Sequence, residues 1–321
     1  MSALRFGVIG AGRHGSRYIK HILEDVKGAE LAAVCRMDPS KGLGLEIEPD
    51  KVSLHGDYRK LLEDDLDVVV IATPTALHEE MAAASMEAGV DVVLEKPMAA
   101  TSEACRRLID VEKRTGRKLM IAQTLRYCPV WKKMGKIWKE LPFPEWFEMV
   151  QYLEPPKTPW LLDRELAGGG CLLNTGVHVF DSLRFIFDAD ITSVECRTER
   201  SLNPVWEDFA YGTIKLKGGL EGSFKIARDS KYRSRTMRID HEGGVLYGDA
   251  LNVKLMKLED GVEKLVPLRG EVKMLVPLLK DMVRCVRTGK EPPITSGDGL
   301  RAVEIAEACY RSAERGTEVL L

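Results

Sequence analysis

The stretch LRFGVIGAGRHG, residues Leu4 to Gly15, decides the fold of this chain. It opens with an apolar run typical of a buried strand, and Gly10, Gly12 and Gly15 follow with G-x-G-x-x-G spacing. Residues 14–26 then show helical spacing, so the glycines stand between a strand and a helix. There Gly10 permits a tight turn, Gly12 lets a pyrophosphate approach the backbone, and Gly15 lets the helix pack closely. With the N–H groups of the helix start, this predicts a dinucleotide-binding turn, against the alternative of a plain strand–helix connection.

The following hundred residues repeat the strand–helix alternation. Apolar runs predict strands at residues 30–35, 67–74, 91–97 and 118–123, and amphipathic segments predict helices at 78–89 and 101–115. The run DVVVIATP is continuous, as in a parallel sheet covered on both faces. We therefore predict an α/β fold in which residues 1–122 form an N-terminal Rossmann domain, a doubly wound parallel sheet.

The second part of the chain has a different texture. After Gln123, proline and tryptophan become frequent, a glycine run follows at residues 167–170, and residues 172–187 resemble a helix. Residues 191–268 read as successive strands with polar turns, and residues 299–315 as an amphipathic helix. We predict that residues 123–321 form a C-terminal α+β domain for substrate binding and oligomerisation, built on a large, mostly antiparallel, open-faced sheet. Since the bare face of such a sheet needs burial, we expect a homodimer or homotetramer.

Composition excludes several classes of protein. Lys plus Arg is 47 and Asp plus Glu is 49 in 321 residues. The chain therefore lacks the excess of basic residues that is typical of a nucleic-acid-binding protein. No apolar stretch reaches the ~18 residues of a membrane span, and the first residues lack signal-peptide anatomy. The seven cysteines form no CxxC pair and no zinc-ligand spacing. We expect free thiols, no metal site and a cytoplasmic location.

Arg36 bears on the choice of cofactor. It stands at the end of the predicted second strand, where an acid would hydrogen-bond the ribose 2′-hydroxyl of NAD. A guanidinium there can instead hold the 2′-phosphate of NADP with two charge-assisted hydrogen bonds, and Arg13 in the glycine turn can assist. We predict NADP as the preferred cofactor. The alternative is that Arg36 is solvated and that Asp38 bonds the ribose of NAD.

Three further motifs follow the glycine turn in order. They are ATPTALH at residues 72–78, EKP at 95–97 and GGGCLLNTGVHVFD at 168–181. With them the chain resembles the glucose–fructose oxidoreductase/inositol dehydrogenase/MocA (Gfo/Idh/MocA) family of nicotinamide-dependent oxidoreductases. The resemblance extends from the first strand to the closing residues 298–319.

The resemblance implies roles for particular residues. Lys96 would exchange a proton with the substrate hydroxyl, and His178 would share that duty. A lysine at a strand end can be desolvated into a useful pKa range, although alone it is more often a surface cation. With the glycine turn and Arg36, the expected cofactor contacts are Gly10, Ala11, Gly12, Arg13, His14, Gly15, Arg36, Ala72, Thr73, Pro74, His78, Glu95, Lys96 and Gln123. The expected substrate contacts are Lys96, Arg126, Tyr127, Trp160, Asn174 and His178.

Asn174 departs from the family pattern. Many relatives carry an aspartate four residues before the histidine, whereas an amide takes no proton and carries no charge. One outcome is that Lys96 becomes a better base, with His178 and Asn174 orienting the oxygen. The other is a site that binds sugar and cofactor without efficient turnover.

Taken together, the sequence predicts a dehydrogenase or reductase that acts on CH–OH groups. It would move a hydride between the nicotinamide and a hydroxyl- or carbonyl-bearing carbon of a sugar, cyclitol or related polyol. Two alternatives stay open: transient oxidation by tightly bound NAD, as in glycoside cleavage, and a non-catalytic sensor of the same fold. The basic segment 228–238 reads as a solvated loop or strand edge, or as a grip on a phosphorylated or nucleotide-linked substrate.

Overall fold

The computed structural model describes residues 2–41, 51–270 and 272–321. By its internal contacts the chain divides into two compact units. The first comprises Met1–Gln123 with Lys273–Leu300, and the second comprises Thr124–Val272 with Arg301–Leu321. The first unit therefore ends one residue after the domain boundary expected from the sequence. It also takes in a later segment that the sequence analysis assigned to the second domain.

The first unit is built on a parallel sheet. Its strands are β1 (Leu4–Ile9), β2 (Ala29–Cys35), β3 (Ser53–His55), β4 (Val68–Ile71), β5 (Asp91–Leu94) and β6 (Leu119–Ile121). Within the described residues the order is β3-β2-β1-β4-β5-β6, with every pairing parallel. This order reverses direction between β1 and β4, which is where doubly wound sheets bind their ligands. The predicted Rossmann fold is confirmed.

Helices cover this sheet on both sides. They are α1 (Gly15–Glu24), α2 (Tyr58–Leu61), α3 (His78–Glu87), α4 (Ser102–Thr115) and α8 (Leu275–Thr288). All four residues of β4 are fully buried, as the continuous apolar run predicted. Thr101 caps α4, because its side-chain hydroxyl accepts a hydrogen bond from the Ala104 N–H.

Helix α8 belongs to the first unit through polar contacts near the chain's beginning. The Arg287 guanidinium donates to the backbone carbonyls of Ser2 and Gly28, at 3.0 and 3.3 Å. The Lys273 ammonium, just before α8, lies 3.1 Å from the Asp25 carboxylate. These contacts fasten the late segment to both ends of the loop between α1 and β2.

The second unit is built on one large sheet. Its strands are β7 (Pro144–Tyr152), β8 (Ile191–Glu199), β9 (Phe209–Leu216), β10 (Glu221–Ala227), β11 (Ser234–His241), β12 (Gly244–Asp249), β13 (Lys254–Glu259), β14 (Val262–Leu265) and β15 (Val319–Leu320). The order in the described chain is β14-β13-β12-β11-β7-β10-β9-β8-β15, antiparallel except for the parallel pair β7/β10. The mostly antiparallel sheet predicted from the sequence is confirmed.

Helices pack on one face of this sheet. They are α5 (Pro129–Ile137), α7 (Val177–Phe187) and the later part of α9 (Ser296–Arg315), and the short α6 (Arg164–Ala167) belongs to the same unit. Phe180 and Phe187 of α7 stack against Phe224 and Phe147 of the sheet, with ring centroids 5.6 and 4.9 Å apart. The opposite face carries the half-buried alternating residues of the same strands. In the described residues, no helix has the length and apolarity needed to cross a membrane.

Candidate active site

The glycine turn after β1 has the geometry that its spacing predicted. Gly10 adopts φ +95°, and a Cβ there would lie 2.6 Å from the Ala72 carbonyl oxygen. A Cβ on Gly15 would collide with the Gly10 carbonyl oxygen, so only glycine lets α1 start this close to β1. A Cβ on Gly12, in contrast, would meet no described atom within 4 Å. The turn is therefore tight on its protein side and open at Gly12, as the approach of a pyrophosphate requires.

The start of α1 offers hydrogen-bond donors. His14 is its N-cap, and the His14 side chain makes no capping hydrogen bond. The backbone N–H groups of Ser16 and Arg17 donate to the Gly12 and His14 carbonyls, which leaves N–H groups of the glycine turn before them for a ligand. Ala11 is nearly buried, while Gly12, Arg13 and His14 are exposed. Uncapped N–H groups at a helix N-terminus form an anion-binding site, so the residues present fit a dinucleotide phosphate.

Glu95, at the end of β5, is hydrogen-bonded to α1. Its Oε1 lies 2.7 Å from Nε2 of His14 and accepts a 2.6 Å hydrogen bond from the Tyr18 hydroxyl. Its Oε2 accepts a 3.1 Å hydrogen bond from the Lys96 backbone N–H. His14 and Glu95 were expected from the sequence, whereas Tyr18 was not, because its apolar neighbours in α1 made it look like a core residue only.

The charges of this group are strongly perturbed. Burial would raise the pKa of Glu95, but the facing His14, Lys96 and the Tyr18 hydroxyl together lower it to about 2. Burial, and then the Glu95 carboxylate, raise the pKa of Tyr18 well above its ordinary value. Glu95 is therefore an anion and Tyr18 a neutral donor at physiological pH. Together with His14 they hold the glycine turn beside the strand end that carries Lys96.

His78 joins two of the loops that follow the parallel strands. Its ring is buried, with Nδ1 2.8 Å from the Pro97 carbonyl oxygen and Nε2 3.1 Å from the Thr73 carbonyl oxygen. Burial lowers the pKa of His78. The hydrogen bonds to the two carbonyls raise it, but by less. Both ring nitrogens thus face the protein's own backbone, and His78 positions the loops after β4 and β5.

Several other expected cofactor residues surround the ends of the same strands. Lys96 is half-buried directly after β5, and Gln123 is buried just beyond β6. The hydroxyls of Thr73 and Thr75, after β4, are buried and have no hydrogen-bond partner among the described residues. Unsatisfied buried hydroxyls beside an open glycine turn suit a polar ligand, which again fits a dinucleotide.

Arg36 and Asp38 follow β2. The backbone N–H of Arg36 donates to the His55 carbonyl at 3.0 Å, which aligns this segment with β3. The Asp38 carboxylate accepts hydrogen bonds from the N–H and the hydroxyl of Ser40, at 3.2 and 2.6 Å. Asp38 therefore stabilises a local turn of its own.

In the second unit, Asn174 lies in a π-helical turn, Leu172–Gly176, that leads into α7. Asn174 is buried, and its Nδ2 donates a 3.1 Å hydrogen bond to the Gly169 carbonyl oxygen. An aspartate could not donate this bond, so the amide suits the glycine loop as this chain builds it. His178 follows in the first turn of α7 and is half-buried. Single π turns often mark functional positions in helices.

A small cleft opens beside Asn174. Its lining includes Leu161, Cys171, Asn174, Asn203, Glu207 and Arg228. Burial raises the pKa of Glu207, against hydrogen bonds from the Leu172 N–H and the Tyr310 hydroxyl. Asn203 and Glu207 were not among the expected substrate contacts, because no motif marks them. Arg228 begins the basic segment 228–238, for which a grip on a phosphorylated or nucleotide-linked substrate was one of the two expectations.

The remaining expected substrate contacts lie elsewhere in the second unit. Arg126 forms a bidentate ion pair with the fully buried Asp181, its Nη2 lying 2.6 Å from the carboxylate. Tyr127 is buried with the Lys132 ammonium 4.8 Å from its ring centroid. Trp160 is half-buried in a short 3₁₀ helix, Pro159–Leu162, next to Leu161 of the cleft. Arg126 thus has an internal carboxylate partner, which favours a structural role for it.

Two family models match the chain. One is described as an oxidoreductase family with an NAD-binding Rossmann fold and matches residues 4–123. The other is the GFO/IDH/MocA C-terminal domain and matches residues 146–247, so that together they cover most of the chain. The chain belongs to the GFO/IDH/MocA family of oxidoreductases. The family expected from the sequence motifs is confirmed.

Curated GFO/IDH/MocA proteins are similar to this one over nearly its whole length. Inositol 2-dehydrogenase 2 of Saccharopolyspora erythraea is 28% identical, over 98% of this chain and 94% of its own. The scyllo-inositol 2-dehydrogenase (NAD(+)) of Bacillus subtilis is 26% identical, over 99% and 96%. D-apiose dehydrogenase of Paraburkholderia graminis is 26% identical, over 98% and 88%. This GFO/IDH/MocA protein is accordingly a dehydrogenase with an NAD-binding Rossmann unit.

Solved structures share the fold. The aldose–aldose oxidoreductase of Caulobacter crescentus, complexed with glycerol, superimposes with a TM-score of 0.87 at 24% identity, over 99% of this chain and 100% of its own. An inositol dehydrogenase homologue from Azotobacter vinelandii, complexed with NAD+, gives 0.86 at 20% identity, over 100% and 98%. At this identity the likeness concerns the fold alone.

Proposed function

We propose that this protein moves a hydride between a nicotinamide cofactor and a carbon bearing a hydroxyl or carbonyl group on a sugar, cyclitol or related polyol. The names of the curated relatives, dehydrogenases of inositol and of D-apiose, support that substrate class. The open glycine turn and the uncapped start of α1 support the cofactor.

One observation carries the proposal. Oε1 of Glu95 bonds His14 at the glycine turn, while Oε2 accepts the backbone N–H of Lys96. One carboxylate thus connects the phosphate-binding turn to the residue proposed to handle the proton. This connection fixes the position of Lys96 relative to the glycine turn, as a reaction that uses both the cofactor and a proton donor requires.

The proposed mechanism assigns proton transfer to this chain's side chains. The bound nicotinamide supplies hydride chemistry at C4. In oxidation, the Lys96 amine takes the proton from the substrate hydroxyl oxygen, and in reduction the ammonium returns it to the carbonyl oxygen. His178 shares the proton, and the Asn174 amide orients the oxygen by hydrogen bonding. Glu95 and His78 position the Lys96 segment.

For the cofactor we propose NADP over NAD. The segment after β2 presents Arg36 where an acid would favour NAD, and Asp38, the nearby acid, already accepts two hydrogen bonds from Ser40. A guanidinium suits a 2′-phosphate through paired charge-assisted hydrogen bonds. Arg13, exposed in the glycine turn, can add a second positive charge.

For the assembly we propose a homodimer or homotetramer formed through the sheet of the second unit. On the face away from α5 and α7, Trp146 is 36% exposed, and Tyr152 and Tyr211 are half-buried. Aromatic side chains of this kind are enriched in protein interfaces. Light scattering after size exclusion tests this, and a monomer would contradict it.

The compartment we propose is the cytoplasm, because all seven cysteines are free thiols.

The experiment that tests the activity follows net cofactor turnover. Purified protein is incubated with NADP+ or NAD+ and a panel of aldoses, cyclitols and polyols, and reduced cofactor is recorded at 340 nm over many turnovers. We expect stoichiometric reduction with at least one member. A bound cofactor that cycles without net reduction would instead support transient oxidation. Absence of both turnover and cofactor binding would contradict the proposal.

A further inference from the structure

Two arginines of the second unit are partly buried without an acid beside them. Arg228 follows β10 and lines the cleft that contains Asn174, and Arg235 lies on β11. Among the described residues, no carboxylate oxygen lies within 4.0 Å of either guanidinium. The Nε of Arg235 is buried and has no hydrogen-bond acceptor in that part of the chain. Burying an uncompensated cation is costly, so each of these arginines calls for an explanation.

Other inward arginines of the same unit show the usual solution. Arg126 is bound by Asp181, and Arg184 and Arg301 both contact Asp190, at 2.9 and 3.0 Å. Arg233, between the two arginines in sequence, has Glu154 at 2.6 Å. The fold thus supplies carboxylates for its structural arginines. Arg228 and Arg235 differ from them because no described carboxylate lies within ion-pair distance of either.

Nearby groups do not supply the missing negative charge. Burial lowers the pKa of Arg228, whereas Cys171 and then Glu154 raise it, and burial lowers the pKa of Arg235, whereas Cys128 raises it. Glu154 is the ion-pair partner of Arg233 and lies beyond ion-pair distance of Arg228. Burial raises the pKa of both thiols, so they are uncharged at neutral pH. Glu207 lines the same cleft, but its Oε1 already accepts two hydrogen bonds from the protein and lies beyond ion-pair distance of Arg228.

The cleft gives Arg228 a location with chemical meaning. Asn174, the residue proposed to orient the reacting oxygen, lines the same cleft as Arg228 and Asn203. A ligand there meets the amides of Asn174 and Asn203, which suit hydroxyl groups, together with the Arg228 guanidinium and the Glu207 carboxyl. Arg233 acts electrostatically on both Arg228 and Arg235, but Glu154 balances its charge, so Arg228 is the cation of this cleft that has no ion-pair partner among the described residues.

We infer that the substrate is an anionic polyol, a sugar or cyclitol carrying a carboxylate or a phosphate, whose anionic group is bound by Arg228. The inference rests on the proposed function and narrows its substrate class. A guanidinium matches either oxyanion with two parallel hydrogen bonds.

The experiment compares matched substrates that differ in one group. The probes are glucose, glucuronate, gluconate and glucose 6-phosphate, with myo-inositol and inositol 1-phosphate as a second series. We expect kcat/KM at least about 30-fold higher for an anionic member than for its neutral partner, because a charged hydrogen bond contributes about 2 kcal/mol. The carboxylate and phosphate arms identify which oxyanion is used.

Variants assign the effect to the cleft. Arg228→Met should lower kcat/KM for the anionic substrate about 100-fold and for the neutral one far less, while Arg228→Lys should restore part of the preference. Arg197→Met removes an exposed arginine of β8 and should change neither value. Equal losses on both substrates, or none on the anionic one, would overturn the inference.

A binding measurement separates this inference from the proposed function. Calorimetric titration of the cofactor-saturated wild type with glucuronate, glucose 6-phosphate and glucose needs no turnover and no variant. Tighter binding of an anion supports the inference even if no probe is oxidised. Binding of glucose alone, or of no probe, overturns it. Turnover of neutral polyols without any preference for anions would leave the proposed function standing and the inference refuted.

Discussion

The fully buried Tyr18 hydroxyl donates a 2.6 Å hydrogen bond to the buried carboxylate of Glu95, across 77 residues of sequence. This bond and the His14 contact keep Glu95 ionised inside the protein. The group joins the first helix to the end of β5, so its charge supports both the stability of the Rossmann unit and the setting of Lys96.

The first prediction concerns acid stability. The folded-state pKa of Glu95, about 2, lies below its ordinary value of 4.5, so the ionised group stabilises the fold above about pH 4.5. That contribution, up to about 3 kcal/mol, should be lost as the pH falls from about 4.5 toward 2. Urea unfolding of wild type and Glu95→Gln between pH 3 and 7 measures it. The difference in unfolding free energy between wild type and Glu95→Gln should become smaller as the pH falls. Glu24→Gln, an exposed substitution on α1, should have nearly the unfolding free energy of the wild type at every pH.

The second prediction concerns Asn174. Asn174→Asp replaces a donor to the Gly169 carbonyl with an acceptor, which should cost about 1–3 kcal/mol at pH 8. The facing carbonyl favours the protonated carboxyl and raises its pKa, so the deficit should shrink as the pH falls through that raised value. Thermal unfolding at pH 8 and pH 5 tests this. Asn174→Ala, which loses the bond at every pH, is the control, and a pH-independent deficit in Asn174→Asp would contradict the account.

The third prediction concerns Arg126 and Asp181. Arg126→Leu strands a fully buried carboxylate and should destabilise the protein by about 3–5 kcal/mol. The double variant Arg126→Leu/Asp181→Leu should recover most of that loss, as urea unfolding would show. If Arg126 instead contacts substrate, the single variant will raise KM with little change in stability.

The fourth prediction concerns cofactor choice. Arg36→Asp should weaken NADPH binding by about 10- to 100-fold, since a charge-assisted bond to the 2′-phosphate is replaced by repulsion. NADH binding should change little. Fluorescence titration of both cofactors against wild type and variant gives the four dissociation constants. Equal affinities of the wild type for NADPH and NADH would remove the proposed role of Arg36.

Local pattern was enough to predict the Rossmann unit. The apolar run of β4 and the spacing of Gly10 and Gly15 are patterns within short stretches of sequence, and the structure bears out both. The family motifs extended this to Glu95 and Lys96. Sequence alone therefore brought most of the candidate cofactor residues into one hypothesis.

Features that depend on distant partners escaped prediction. Tyr18 meets Glu95, and Arg287 binds the carbonyls of Ser2 and Gly28, only after the chain has folded. The parallel pairing of β7 with β10 likewise has no local signature. For the basic segment that contains Arg228, the sequence left open both a solvated strand edge and a grip on a phosphorylated substrate, because the absence of a carboxylate beside Arg228 is visible only in three dimensions.

The central claim is that Lys96 exchanges the proton with the substrate oxygen beside the bound nicotinamide. The most direct measurement is the pre-steady-state and steady-state rate of polyol oxidation by Lys96→Met, with cofactor affinity measured in parallel. The account predicts a loss of about 10²- to 10⁴-fold in kcat, cofactor dissociation constants within about threefold of wild type, and loss of the limb of the pH–rate profile that reports the base. A variant that oxidises substrate at the wild-type rate, with an unchanged pH profile, would contradict it.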